Sequence, residues 1–173
     1  FALDLETTSL DPNLAKIVGI SLAWEEGKAV YIPLGHDYEG APVQLNKSDV
    51  YKLILPILKN PNLQKIGHNL KYDHAVLMSN GVDLHGIAHD TMLQSYIINS
   101  TDNRHDLNTV AERVLGVVPT TYEKVTENLN EDEGFEKVKI DMATTYAGED
   151  AELALRIHNR LFPKISGNKG LKS

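Results

Sequence analysis

Asp4 and Glu6 are the first residues in this chain that could do chemistry. In the opening run Phe1-Ala2-Leu3-Asp4-Leu5-Glu6, strict alternation sets Phe1, Leu3 and Leu5 on one face of a strand and Ala2, Asp4 and Glu6 on the other. Two like charges on one face of an otherwise apolar strand destabilise each other unless a positive charge intervenes. Residues two apart lie about 6.6–6.8 Å along a strand, so both side chains could converge on one cation. Oxygen ligands in a chain without cysteine point to a hard ion, Mg²⁺ or Mn²⁺. Taken alone, the pair has a plainer explanation: an edge strand with its polar face in water.

Two further segments place acids where they could join that pair. Asn69-Leu70-Lys71-Tyr72-Asp73 falls at the junction of a short strand and a helix. Asp73 would sit in the first helical turn, where the helix dipole favours a carboxylate, and Asn69 could serve as the N-cap. In Tyr146-Ala147-Gly148-Glu149-Asp150, the tyrosine and Asp150 are four apart, one turn from each other on the same helix face. A half-buried Tyr146 and a solvated Asp150 would also fit an ordinary amphipathic boundary.

The elements that must position these residues can be read from the hydrophobic pattern. Beyond the first strand, Ser9 to Asn13 is a turn, with Asp11-Pro12 as its former. Ile17–Trp24 and Ala29–Leu34 read as strands joined by a hairpin at Glu25-Glu26-Gly27, with Trp24 in the core. Helical spacing runs from Lys47 to Leu58, with Val50, Leu53, Ile54, Ile57 and Leu58 as its apolar face, and Asn60-Pro61-Asn62 ends it. Leu63–Gly67 is a short strand, followed by a helix over Leu70–Ser79 closed by Asn80-Gly81. Helices follow at Thr91–Ile98 and Leu107–Leu115. Tyr122–Phe135 is polar and irregular, and a long helix spans Ile140–Phe162, ended by Pro163. Early strands followed by helices indicate an α/β domain with a mixed sheet. The expected division is a domain over residues 1–165 and a tail over 166–173. A chain that opens inside a strand and closes on Gly-Asn-Lys-Gly-Leu-Lys-Ser is expected to be a segment of a larger protein.

Composition bounds the function. At 173 residues with 42% hydrophobic and 24% charged residues, the chain supports one globular domain with a proper core. No apolar run reaches the roughly 20 residues that a membrane span needs. The net charge of −7 argues against tight nonspecific binding to duplex DNA, which depends on Lys and Arg. It does not argue against a nuclease that collects carboxylates around divalent cations and receives a phosphodiester there.

In combination, the three acidic segments resemble the exonuclease motifs of the DEDD superfamily, in its tyrosine-bearing branch. The histidine branch would place His where this chain has Thr145. Phe1–Asp11, Gly67–Asp73, His89-Asp90-Thr91-Met92-Leu93, Arg104-His105-Asp106 with Ala111-Glu112-Arg113, and Tyr146–Ala151 resemble the proofreading exonuclease domain of bacterial DNA polymerase I, over nearly the whole chain. The family's domain usually carries a strand and a helix ahead of the first motif; they are not in this sequence.

The resemblance implies a ribonuclease H-like mixed sheet flanked by helices, and 3′→5′ hydrolysis of single-stranded or frayed DNA ends with release of 5′-mononucleotides. It also implies two divalent ions, Mg²⁺ with Mn²⁺ or Zn²⁺ as substitutes, held by Asp4, Glu6, Asp73 and Asp150. Two such ions about 3.5–4 Å apart can activate a water and stabilise both the phosphorus oxygens and the leaving 3′ oxygen. Tyr146 would aim the water, since a phenol with pKa near 10 is mostly protonated at neutral pH and a poor base. By the same resemblance Leu10 would wedge between the last two bases, the alternative being a core leucine. Tyr122 would stack near the 3′ end, while the Thr7 backbone, Asn69 and Arg104 would meet the terminal nucleotide or phosphates. A plain surface charge would equally explain Arg104. Expected partners are a single-stranded DNA 3′ end and a polymerase domain of the same chain, in a monomer in the bacterial cytoplasm at the nucleoid.

His68 receives no role. His85 and His89 read as loop residues rather than a zinc pair, and Lys47, Lys52 and Lys59 as a solvated helix face. The competing readings are a ribonuclease D-like or Werner-type exonuclease, which shares the three motifs, and a polymerase module that keeps the fold without activity.

Overall fold

The computed structural model describes residues 1–130 and 132–168. Its centre is a five-stranded sheet in the order β3-β2-β1-β4-β5. The strands are β1 (Ala2–Thr7), β2 (Ile17–Glu25), β3 (Lys28–Pro33), β4 (Lys65–Gly67) and β5 (Ile87–Asp90). The first three form an antiparallel meander, and β4 and β5 add in parallel to β1. Parallel addition needs crossovers, and helices supply them. The helices are α1 (Lys47–Leu58), α2 (Leu70–Ser79), α3 (Thr91–Ile98), α4 (Leu107–Leu115), α5 (Tyr122–Thr126) and α6 (Ile140–Ser166), with a 3₁₀ turn at Phe135–Lys137. This is the expected ribonuclease H-like mixed sheet flanked by helices.

Both faces of the sheet are covered, by side chains of different size. Leu3, Leu5 and Ile20 point one way and pack against Val50, Ile54 and Leu58 of α1 and Val76 and Leu77 of α2. On the other face, Ala2 and Ala23 meet Ala151 and Ala154 of α6, with Ala29 of β3 packed alongside. Ala143 and Ala147 continue the same helical stripe against Val18 and Tyr31. A methyl group is the smallest side chain that still excludes water, so this stripe seats α6 close to the strands. The far side of α6 carries Leu153, Ile157 and Leu161, which pack on Val110 and Ala111 of α4.

Several expectations are corrected. Residues 87–90, expected as loop with His89 in it, form the edge strand β5. It is only four residues long and follows Gly86, whose positive φ of 70° suits a tight turn, so no alternating pattern had room to develop. Trp24 is 54% exposed rather than core, because the β2–β3 register slips between Ala23 and Glu25 and the bulge turns the ring outward. Only Val50, Ile54 and Leu58 of the α1 face are buried, while Leu53 and Ile57 stay exposed. The segment expected as irregular opens with α5 and ends on the first residue of the 3₁₀ turn. Pro163 does not end α6, which runs to Ser166. Its missing N–H frees only the carbonyl of exposed Asn159 in the last turns, where water can replace the bond. The expected tail therefore starts inside a helix, and its residues 169–173 lie outside the described residues.

Candidate active site

The alanine stripe decides where Asp150 goes. It lies between Ala147 and Ala151 on α6, so the close seating carries it down onto the sheet. There Asp4, Glu6 and Asp150 each offer an oxygen within 4.8 Å of the other two. Asp73 arrives from a different direction. β4 ends at Gly67, so the N–H of Leu5 has no strand carbonyl beside it; the Asp73 carboxylate accepts that bond at 3.1 Å from the first turn of α2. Asp73 is buried, and the bond ties it to the backbone between Asp4 and Glu6.

Four acids in this space are electrostatically unfavourable. Burial raises the Asp4 carboxyl to about 7, partly offset by the nearby Leu5 N–H, whose hydrogen bond itself goes to Asp73. Glu6 is held well above the usual carboxylate range by burial and then by the charges of Asp4, Asp150 and Asp73. Asp73 and Asp150 are raised in the same way, by burial first and by Asp4 second. Among the described residues no ion pair includes any of the four. Asp150 Oδ1 is buried with no hydrogen-bond partner. Hard oxygen donors, no internal cation and an orphaned carboxylate oxygen together fit a site for divalent metal.

Tyr146 stands one turn before Asp150, near enough that its hydroxyl partly offsets the upward shift of the acid. The phenol itself is pushed up by burial and by the charges of Asp150, Glu6 and Asp4, so it stays protonated. Its ring packs on Phe135 at 5.7 Å between centroids, and Phe135 also stacks on Tyr122 at 6.3 Å.

A cleft of about 330 Å³ opens over Glu6, lined also by Thr7, Leu10, Tyr72, Tyr122 and Phe135. Leu10 is 95% exposed at the cleft's rim, which removes the core-leucine alternative. Its loop is held from below: Tyr72 donates its hydroxyl to the Ser9 carbonyl at 2.5 Å and lies 2.5 Å from Thr7 Oγ1. Tyr72 and Phe135 were not among the expected site residues. Tyr72 lies inside the second motif, one residue before Asp73, and that position was the available signal; Phe135 had none.

Asn69 and Arg104 do not line the cleft. Asn69 has an exposed side chain and a left-handed backbone, φ 60° and ψ 41°, and makes no side-chain cap. The expected capping role passes to Asp90, whose carboxylate accepts from the N–H groups of Asn69 and Leu70 and also from Met92 and Leu93. One acid thus terminates two helices, and Asn69 is free to take the strained turn that aims α2. Arg104 is exposed and pairs with Asp106 at 3.0 Å. His68, given no role, contacts Thr91 Oγ1 at 2.9 Å.

A mixed sheet carrying two acids on one face of its central strand, completed by one acid from each of two helices, defines a nuclease of the ribonuclease H-like class. The sequence matches the family model described as 3′-5′ exonuclease over residues 1–166, and the chain belongs to that family. It is 40% identical over 166 residues to DNA polymerase I of Pseudomonas aeruginosa, and 34% identical over 171 residues to that of Chloroflexus aurantiacus. These matches cover 95% and 99% of the chain but only 18% of either relative, so it spans about a fifth of their length. Among solved structures, Brucella melitensis NrnC superposes with a TM-score of 0.71 at 19% identity, covering 99% of this chain and 75% of that one. A second structure of NrnC holds bound Mg²⁺. The Pol1 POL domain of M. smegmatis, in complex with DNA primer-template and dNTP, gives 0.72 at 17% identity, covering 98% of this chain and 24% of that one. Among the described residues no helix is long and apolar enough to cross a membrane.

Proposed function

We propose that this chain is the proofreading unit of a bacterial DNA polymerase I. In this reading it hydrolyses the last phosphodiester of a single-stranded or frayed DNA 3′ end and releases a 5′-mononucleotide. The observation that carries the reading is the convergence of Asp4, Glu6 and Asp150 within 4.8 Å, with no cation of the protein's own among the described residues. The 40% identity to a DNA polymerase I favours DNA over RNA as substrate.

Asp4, Glu6 and Asp150 would hold one divalent ion, and Asp73 with Asp4 a second. Mg²⁺ is the expected ion, with Mn²⁺ or Zn²⁺ as substitutes. Such ions activate a water and neutralise charge on the phosphorus oxygens and on the leaving 3′ oxygen. The protein's own groups do the rest. Tyr146, kept protonated by burial and by the neighbouring acids, serves as a hydrogen-bonding group that aims the attacking water rather than as its base. Leu10 and Tyr122 flank the terminal bases across the cleft, and stacking of this kind accepts any base, as an editing enzyme requires. The Thr7 backbone at the cleft wall meets the terminal nucleotide, while Asn69 and Arg104 would contact phosphates only from outside it. The domain spans residues 1–165, works as a monomer joined to a polymerase domain of the same chain, and acts at the nucleoid.

The test is digestion of 3′-labelled single-stranded DNA and of the matched RNA, with Mg²⁺ or chelator, using the parent and Asp4→Ala. Labelled mononucleotide should appear only with the parent and free Mg²⁺. Equal digestion of RNA would move the assignment to a ribonuclease D-like enzyme, and no digestion of either would leave a structural module.

A further inference from the structure

The loop between β3 and α1 takes no part in the site described above, yet it is tied to the site through a chain of side chains. Gln44 grips His36 from two sides: its Oε1 accepts from the His36 N–H at 2.8 Å, and its Nε2 donates to the His36 carbonyl at 2.7 Å. The buried His36 ring packs on Tyr38 and Phe135, and its Nε2 lies 2.8 Å from the Tyr31 hydroxyl. Tyr31 is itself buried.

Strand register sets Tyr31 against the acids. Asp4, Ser21 and Tyr31 form one cross-strand row, and Glu6, Gly19 and Pro33 form another. From its own row Tyr31 leans over Gly19. A β-carbon on Gly19 would fall inside the Tyr31 hydroxyl and ring. Glycine within a strand often marks such a close approach. Directly paired residues normally carry β-carbons about 4.5–5.5 Å apart, so the Tyr31 hydroxyl stands where the side chain facing Glu6 would otherwise begin. The charges of Glu6 and Asp4 also raise the phenol, after burial, as this nearness requires. Among the described residues no protein group hydrogen-bonds the Glu6 carboxylate, so the direction of this long side chain is left to what packs along it. Ser21 is too short for the task.

We propose that Tyr31 is a positioning residue for Glu6: lodged over Gly19 and anchored by His36, it closes the space on the β3 side and turns the carboxylate toward Asp4 and Asp150. Gln44 and His36 are then the fixed end of a strut whose free end is the Tyr31 ring. The role rests on Glu6 being a cation ligand, as set out under Proposed function.

Mn²⁺ binding, followed by electron paramagnetic resonance and by titration calorimetry, tests this on the parent, Tyr31→Leu, Tyr31→Phe, Gln44→Ala and the Tyr31→Phe/Gln44→Ala pair. Tyr31→Leu, which empties the space over Gly19, should weaken Mn²⁺ binding about tenfold or more, as loss of a supporting residue does at other metal sites. Tyr31→Phe and Gln44→Ala each loosen the strut and should weaken binding severalfold. The pair should be no weaker than Tyr31→Phe alone, since both cut the same connection. Cleavage by each variant should recover at saturating Mn²⁺. Parent-like Mn²⁺ affinity in all variants, or a lower melting temperature with unchanged affinity, would make Tyr31 a core residue only and overturn the inference. Should Tyr31→Leu fail to fold, Tyr31→Phe and Gln44→Ala decide the matter. A parent that binds no Mn²⁺ would instead remove the cage reading itself.

Discussion

The two faces of the sheet are built by different rules. Toward α1 and α2, the strands present Leu3, Leu5 and Ile20, and burial of large aliphatic groups stabilises the fold in the ordinary way. Toward α6, the same strands present alanines, Gly19, Ser21 and two carboxylates, which contribute little apolar area and concentrate unfavourable charge. One face holds the domain together, and the other uses that stability to keep four acids where they repel each other. A divalent ion held among them, as proposed above, would relieve that repulsion.

Substitutions on the two faces should therefore have opposite signatures. Asp4→Asn should lower cleavage on the order of a thousandfold or more, the scale of losing a principal electrostatic group. It should also raise the melting temperature of the metal-free protein at pH 8; a fall there would show that the acids are not in conflict. On the proposed role of Tyr146, aiming the water rather than binding the ion, Tyr146→Phe should slow single-turnover cleavage on the order of a hundredfold, clearly less than Asp4→Asn. Equal losses would contradict that division. Leu77→Ala, on the aliphatic face, should cost about 2–5 kcal/mol in denaturant unfolding while leaving Mn²⁺ affinity unchanged. Ala151→Val should do some of both: about 1–3 kcal/mol from overpacking, with weaker Mn²⁺ binding because α6 is lifted from the strands. Unchanged Mn²⁺ affinity in Ala151→Val would mean that helix seating does not set the cage.

The same acids make stability depend on pH. Asp4 titrates at about 7 in the folded protein against 3.8 unfolded, and Glu6, Asp73 and Asp150 shift in the same direction. Between those values the folded state holds protons that the unfolded chain has released. Stability is thus complete below about pH 4 as far as these groups are concerned, and is lost as pH rises through 7. In chelator the melting temperature should decline from pH 5 to 8, and Mn²⁺ should remove the decline. A flat chelator profile would mean that the acids titrate normally.

The cage was legible in the sequence because each acid sits in a short local pattern: a strand pair, a helix start, a one-turn helical spacing. The aliphatic face was legible for the same reason, since periodicity reports burial. The support of the cage was not, because it depends on who faces whom across strands. Tyr31 reaches Glu6 only through the register of β1, β2 and β3 and the absence of a side chain at Gly19. Phe135 joins Tyr122 and Tyr146 through contacts from a segment with no period of its own. That Asp90 takes the capping role expected of Asn69 was hidden as well, because β5, the strand that delivers it, is too short to show a pattern.

The run of alanines under α6 has a consequence for how such a protein can change over generations. Alanines stand on both sides of the contact between helix and strands, so the separation of Asp150 from Asp4 is inherited from how closely they meet. Any drift in side-chain size along the stripe retunes the chemistry at once. Variation should therefore collect on the opposite surface of the sheet, where larger residues can trade volume without touching the reaction.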